Sequence, residues 1–204
     1  MGLTLNTNSL TSGVDETAAG VTPEQLTAST QWELIERTTI SSSLTYIDYT
    51  ASVLTSSLHT YKVHYNRVRF SSSDYMGLRW LNGTVPYTTG VYTTGGLRHA
   101  HTSGGLQAVN FYSGLGAAYM TYSSTNRTIN AELEIQLQPN ESNGPIGRYR
   151  SSFVQQNQTG YMETDVTSIG LQGTPSSYPV DGFRLMPAGG SNFESGTISV
   201  YKFK

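Results

Sequence analysis

Two histidines separated by a single residue, His99 and His101, have the clearest potential for chemistry in this chain. Residues two apart in a β-strand lie on the same side, so both imidazole rings could reach one point. Three such pairs around a threefold axis would supply six nitrogen ligands, which suits a transition metal. The residues around the pair are rich in glycine, and two histidines in such a loop are usually only polar surface. We therefore predict no metal, with His99 and His101 as the candidates if one binds.

A second pair, Glu132 and Glu134, is predicted to share the outer face of a strand. Paired carboxylates can catalyse glycoside hydrolysis when they lie roughly 5–9.5 Å apart. On a solvated strand face, however, neighbouring carboxylates usually supply only surface charge. The sequence contains no nucleophile elbow, no P-loop and no zinc-protease motif. We therefore predict that the protein is not an enzyme and has no cofactor; a carbohydrate-active enzyme is the alternative that the sequence supports least.

Aromatic residues offer a different chemistry, that of binding. The chain has 14 tyrosines, and several of them flank its glycine-rich centre. Exposed aromatic rings can stack on sugar rings or anchor a protein interface. We identify Tyr87 and Tyr92 as candidate partner-binding residues on this basis. The alternative is that each ring packs on the domain and leaves only its hydroxyl in water.

The composition favours β-structure and narrows the classes of partner. Charged residues make up 13% of the chain, about half the usual share of roughly 25%, and Ser, Thr, Asn, Gln, Gly and Tyr replace them. Thr and Tyr suit pleated faces, and Gly and Asn suit turns. A net charge of −2 gives no sign of a nucleic-acid partner, and the absence of cysteine rules out disulfides and thiolate metal sites. No apolar run approaches the length of a membrane helix, so we expect no membrane partner.

Alternation of apolar and polar residues predicts the strands. It is clearest from Ile129 to Leu137, and it also marks the chain end from Ser191 to Lys204. The alternation from Tyr61 slips in phase before Val68, which predicts a bulge near Asn66 or Arg67. The remaining strands are predicted at 31–38, 44–49, 76–80, 119–122, 148–154, 161–169 and 182–186.

The connections between these strands are less regular. Residues 82–107 contain many Gly, Thr and Tyr residues and are predicted to be a long loop. The Pro187–Gly190 break separates the last two strands, and we predict that these two strands form an antiparallel pair. The regular spacing of strands and turns indicates an all-β protein, an antiparallel sandwich spanning residues 31–204.

Residues 1–30 differ from the rest of the chain. They contain no Lys or Arg and show no periodicity, which predicts an extended N-terminal arm. An arm of this polarity rarely holds itself in place, so we expect it to lie on a neighbouring subunit, the alternative being its own sandwich. Its apolar residues are therefore further candidates for partner binding: Leu3, Leu5, Leu10 and Val14.

Four segments in this order resemble a family of tailed-bacteriophage virion proteins with a jelly-roll-like β-sandwich: 32–35, 47–50, 61–71 and 195–201. The resemblance runs from about Gln31 to Lys204. It departs from the family at the end, where Lys202-Phe203-Lys204 follows Tyr201 in place of an early glycine. This departure leaves the subgroup open.

The resemblance implies a virion structural protein and a jelly-roll fold. Members of the family serve as capsid decoration (cement) proteins or as parts of tail fibres and are usually not enzymes. The first expectation is therefore a homotrimeric decoration protein on the outer surface of the virion, bound to the major capsid protein or other virion proteins. The alternative is a tail-fibre or spike protein that recognises a host surface glycan.

Overall fold

The computed structural model describes residues 31–54, 60–88, 92–100, 105–123, 127–137, 145–154, 162–171 and 180–204. Leu34–Phe203 form one compact unit; the other unit, Met1–Glu33 with Lys204, lies almost wholly outside the described residues. The predicted arm, residues 1–30, is also outside them. β-strands are the only regular secondary structure in the described residues. These residues therefore include no helix that could cross a membrane. The strands are β1 Trp32–Ile40, β2 Ile47–Tyr49, β3 Thr60–Phe70, β4 Asp74–Asn82, β5 Val85–Pro86, β6 Tyr92–Ala100, β7 Gly105–Leu115, β8 Ala118–Ser123, β9 Ile129–Gln136, β10 Ile146–Val154, β11 Met162–Leu171, β12 Gly182–Pro187 and β13 Phe193–Phe203.

These strands form two sheets that make a sandwich-like arrangement. We call the eight-stranded sheet, in the order β1-β13-β3-β9-β10-β11-β6-β7, sheet A. Sheet B has the order β2-β12-β4-β5, and β8 pairs with β4 beside β5. All the described pairings are antiparallel. The prediction of an all-β antiparallel sandwich is therefore confirmed.

The strand order is that of a jelly roll with additions. The quartets β1-β13-β3-β9 and β2-β12-β4-β8 place the first strand beside the last. Their successive strands lie in opposite sheets, except for β4 and β8, which pair in sheet B. This is the double Greek key of a jelly roll. Two insertions extend sheet A beyond β9: β10 and β11 follow β9 in the chain, and β6 and β7 lie between β5 and β8. We call β10-β11-β6-β7 the added strands.

The prediction of a long loop over residues 82–107 was wrong. Strand β6 and the start of β7 lie in this range. β6 pairs with β11 without a shift in register, from Tyr92 opposite Leu171 to Ala100 opposite Glu163. Glycines weaken a strand locally, but neighbouring strands on both sides of β6 supply its backbone hydrogen bonds. The pairing within the sheet thus outweighs the weak local preference of this glycine- and threonine-rich segment.

The prediction that the last two strands pair with each other was also wrong. β12 pairs with β2 and β4 in sheet B, whereas β13 pairs with β3 in sheet A. The buried carboxylate of Asp74 holds the crossing between the sheets, because it accepts hydrogen bonds from the backbone N–H groups of Gly189 and Ser191. A side chain of Cβ size at Gly189 would lie 2.6 Å from Asp74 Oδ1, so a larger residue there would displace this carboxylate.

The predicted bulge in β3 is confirmed. The register of β3 with β9 shifts between Tyr65 and Val68, and Arg67 has a φ of 53°. Its N–H is satisfied by Asn130 Oδ1 at 3.0 Å. On the other side of β3, Gly196 of β13 has a φ of 122°. It lies so close to Val68 that an added Cβ would be 2.6 Å from Val68 Cα. The bulge therefore rests on an asparagine on one side and a glycine on the other.

The core follows the predicted alternation. In β9, Ile129, Leu133 and Ile135 are buried, and the exposed or half-buried Asn130 and Glu132 alternate with them. The largest fully buried side chains come from both sheets and include Trp80, Tyr49, Tyr61, Tyr92, Tyr149, Phe70, Phe183 and Phe193. Because these aromatic rings are buried between the sheets, the described strands can meet a partner at the outer faces and at the edges of the sheets.

Candidate functional site

The outer face of sheet B carries a cation held between an acid and an aromatic ring. Arg184 Nε and Nη2 donate to Asp48 Oδ1 and Oδ2 at 2.6 and 2.8 Å, and the Tyr46 ring centre lies 3.7 Å from Arg184 Cζ. The register explains the assembly, because Asp48 in β2 is directly opposite Arg184 in β12. The hydrogen bond to Asp48 raises the pKa of Arg184. Since Tyr46 is 47% exposed, this cluster presents an aromatic ring of fixed position to solvent.

A second aromatic feature lies on the same face. Tyr75 in β4 and Tyr119 in β8 stack with their ring centres 5.3 Å apart and their planes 16° apart. Tyr119 is opposite Gly77 in the pairing of β8 with β4, two residues along β4 from Tyr75. Tyr75 is 43% exposed. The stacked pair therefore offers a flat, rigid aromatic surface of the kind that binds sugar rings or apolar protein side chains.

The outer face of sheet A carries a charged cluster beside a ring contact between His64 and Tyr201, whose centres are 5.0 Å apart. Glu132 in β9 accepts from Lys62 at 3.3 Å and from His64 at 3.2 Å, both in β3. A shallow groove of about 550 Å³ lies beside them, lined in part by Asn66 and Arg150. Glu132 is thus held by two side chains of the neighbouring strand, an arrangement that fits surface charge on a sheet and gives no support to a free carboxylate pair with Glu134.

Only one of the two predicted metal ligands is among the described residues, so the prediction about a metal stays open. His99 lies in β6, opposite Thr164 of β11 and Leu106 of β7, so it belongs to a strand and not to a loop as predicted. His101 is outside the described residues. Within the part of the chain that is described, no three His, Asp or Glu residues are close enough to hold a metal ion.

The predicted partner-binding tyrosines lie in or against the core. Tyr92 is fully buried, so its interpretation as an exposed contact residue is corrected. Its hydroxyl donates to Tyr87 O at 2.8 Å and accepts from Trp80 N at 2.9 Å, and burial raises its pKa well above the ordinary value. Tyr87 is half-buried against the core. These contacts fix the start of β6 on sheet B, which is a structural role for Tyr92.

The other predicted contact residues, Leu3, Leu5, Leu10 and Val14, lie outside the described residues, so their role stays a prediction. Three exposed aromatic residues of the described chain were not among the candidates: Tyr46, Tyr75 and Phe203. A signal for Tyr75 was present, since Met76, Leu78 and Trp80 form the inward series of β4 and the alternation then places residue 75 outward. A comparable signal marked Tyr46, since Ile47 and Tyr49 share one side of the strand predicted at 44–49 and the alternation then places residue 46 on the other. In the structure Tyr46 lies directly before the three-residue strand β2.

Comparisons of this chain with family models, curated proteins and solved structures give no match. Its function is therefore argued from the fold and from the surfaces described above.

Proposed function

We propose that this chain is a structural protein of a tailed-phage virion, a capsid decoration protein on the outer surface that stabilises the shell without catalysing a reaction. The observation that supports the proposal is the jelly-roll strand order, in which β1 lies beside β13. Jelly rolls are frequent in viral capsid proteins, but they also occur in lectins and cupins. The fold alone therefore does not choose the function, and the surfaces must do so.

The outer faces favour binding over catalysis. On both sheets the charged groups with short contacts are engaged with each other: Arg184 with Asp48, and Glu132 with Lys62 and His64. Such networks give a surface a fixed pattern of charge, which supports selective contact with another protein. The proposed partners are the major capsid protein, other virion proteins and further copies of the chain, with the homotrimer as the assembly that the resemblance implies.

The location in the particle tests this proposal directly. Quantitative mass spectrometry and immunogold labelling would be applied to virions encoded by the genome that carries this chain. A decoration protein should be present in hundreds of copies and label the shell. A few copies at the tail would reject decoration and favour the alternative below, and absence from purified virions would reject both.

The proposed role of the N-terminal arm has its own test. Deletion of residues 2–29 should leave a folded sandwich, because the core described above lies after Gln31, but should abolish binding to capsids. If the truncated protein decorates capsids as well as the full chain does, the arm is not the attachment element.

The alternative function is recognition of a host surface glycan by a tail-fibre or spike protein. The stack of the exposed Tyr75 on the half-buried Tyr119 favours it, because aromatic faces bind the apolar faces of sugar rings. Substitution Tyr75→Ala should weaken binding of the protein to host cells at least about tenfold if a hot-spot aromatic is removed. Val85→Ala, at another exposed position on sheet B, is the matched control and should leave binding unchanged. Equal binding by the unmodified protein and the Tyr75→Ala variant would reject this site.

A further inference from the structure

Sheet A ends at β7, and among the described strands only β6 pairs with it. An outer strand presents a row of backbone N–H and C=O groups that can pair with another chain. Proteins usually protect such an edge with charged residues, proline, bulges or a very short strand. The extent of this protection in β7 therefore decides whether the edge is open to a partner.

Bulges protect only the second half of β7. Its register with β6 shifts between Thr94 and Gly96 and between Tyr92 and Thr93, so the irregular pairing involves residues after Val109. From Gly105 to Val109 the strand is regular, and each residue faces one residue of β6. No Asp, Glu, Lys, Arg or Pro occurs anywhere from 99 to 126. Five residues of regular backbone are therefore left with neither a bulge nor a charge.

The other strands at the ends of the described sheets are protected. β1, at the opposite end of sheet A, contains Glu33, Glu36 and Arg37. In sheet B, β2 has three residues and β5 has two, and β8 contacts β6 and β11 of sheet A. Among these strands, β7 alone is long, uncharged and regular over part of its length.

We propose that β7 is a dimerisation edge, at which Gly105–Val109 of one copy pairs antiparallel with the same segment of a second copy. A two-fold axis beside Gln107 would join the two eight-stranded sheets into one. A neutral strand suits a second neutral strand, because no register between them places like charges opposite each other. Identical edges related by a two-fold axis also form a closed, self-complementary interface. This dimer differs from the threefold assembly implied by the resemblance.

The first experiment uses the unmodified chain and a single cysteine variant. Sedimentation equilibrium should show a monomer–dimer equilibrium. Because the chain has no cysteine, Gln107→Cys introduces a single thiol at the proposed axis, where two copies of the residue would be close enough for a disulfide. Mild oxidation should cross-link Gln107→Cys efficiently. Thr39→Cys, at an exposed position in β1, is the control and should remain uncross-linked.

The second experiment uses opposite charges at residue 107. Gln107→Lys and Gln107→Glu should each weaken dimerisation by roughly fivefold, because like charges would lie opposite each other. An equimolar mixture of the two variants should dimerise more tightly than either one alone. Arg98 of β6 lies opposite residue 107 within each copy. Its charge acts on residue 107 in the separate and in the mixed samples alike, so it does not affect the comparison between them.

Each of three results would overturn the proposal. A chain that is monomeric at all concentrations overturns it, whatever the variants do. So does a dimer or trimer in which Gln107→Cys fails to cross-link or cross-links no better than Thr39→Cys. Equal affinity of the mixture and the separate charge variants also overturns pairing about residue 107. If the charge variants do not fold, the cross-linking of the small and neutral cysteine variant decides the matter.

Discussion

The two ends of sheet A solve the problem of an exposed strand in different ways. At one end, β1 carries Glu33, Glu36 and Arg37, and it belongs to the jelly-roll quartet. At the other end, β7 belongs to the added strands and contains no charged residue. Charges at an edge oppose pairing with further strands, whereas an uncharged edge permits it. Both parts contribute to the core, since Tyr92 and Tyr149 of the added strands are buried in it, so the two parts differ at their edges: the edge of the jelly roll opposes a further strand and the edge of the added strands permits one.

The largest effect on this comparison is expected from alkaline pH. Burial raises the pKa of Tyr49 in the jelly roll to about 12, and it also raises the pKa of Tyr65 in the jelly roll and of Tyr92 in the added strands. The unfolded chain loses these protons near pH 10, whereas the folded chain keeps them to higher pH. The free energy of unfolding therefore has its full value below pH 10 and falls as the pH rises above 10. Each tyrosine contributes a slope of about 1.4 kcal/mol per pH unit, and the three together about 4.

Urea unfolding between pH 9 and 11.5 would measure this slope. Tyr49→Phe and Tyr92→Phe should each reduce the slope by about 1.4 kcal/mol per pH unit, which compares the jelly roll with the added strands. A free energy of unfolding that does not change above pH 10 would contradict the burial of these hydroxyls.

Truncation of a buried side chain in the jelly-roll part of sheet A should lower the free energy of unfolding by about 3 kcal/mol more than truncation of a half-exposed side chain in the added strands. Leu133 in β9 is fully buried, and Leu133→Ala should lower the free energy of unfolding by roughly 2–5 kcal/mol, since it leaves a cavity. Ile146, in the adjacent added strand β10, is half exposed. Ile146→Ala is the control and should cost less than about 1 kcal/mol. Equal losses in urea denaturation would mean that the packing of β9 and β10 is not as described.

Removal of the Asp74 carboxylate should have a smaller but clear effect. Asp74→Ala leaves the N–H groups of Gly189 and Ser191 without this acceptor and should destabilise the protein by about 2–3 kcal/mol. Glu194→Ala removes a carboxylate from an exposed ion pair with Arg69 and should cost less than about 1 kcal/mol. If calorimetry gives the two variants the same stability, Asp74 does not hold the crossing from sheet B to sheet A.

The sequence predicted those parts of the fold that depend on local pattern. Alternation located β9 and β13, and the change of phase before Val68 located the bulge in β3. The turn after β4 uses Gly83, which has a φ of 60°. In each case neighbouring residues along the chain carry the information, because side-chain periodicity and glycine conformation are local properties.

Features that depend on distant residues could not be predicted in this way. β6 is a strand because β11 pairs with it, although their sequences lie far apart. Tyr92 is buried because its hydroxyl finds Trp80 N and Tyr87 O inside the sandwich. The choice of sheet for β12 depends on β2 and β4, and no pattern within Gly182–Pro187 specifies those partners. The surfaces of the candidate site arise from the same long-range pairings.

Hydrogen exchange at the two ends of sheet A is the most direct test of the difference between them. Amide exchange of the unmodified chain would be measured by mass spectrometry at low and high protein concentration. The account predicts that concentration slows exchange in Gly105–Val109 and leaves exchange in Trp32–Ile40 of β1 unchanged, because only the uncharged edge gains a backbone partner. Exchange that is independent of concentration at both ends, or slower only in β1, would contradict it.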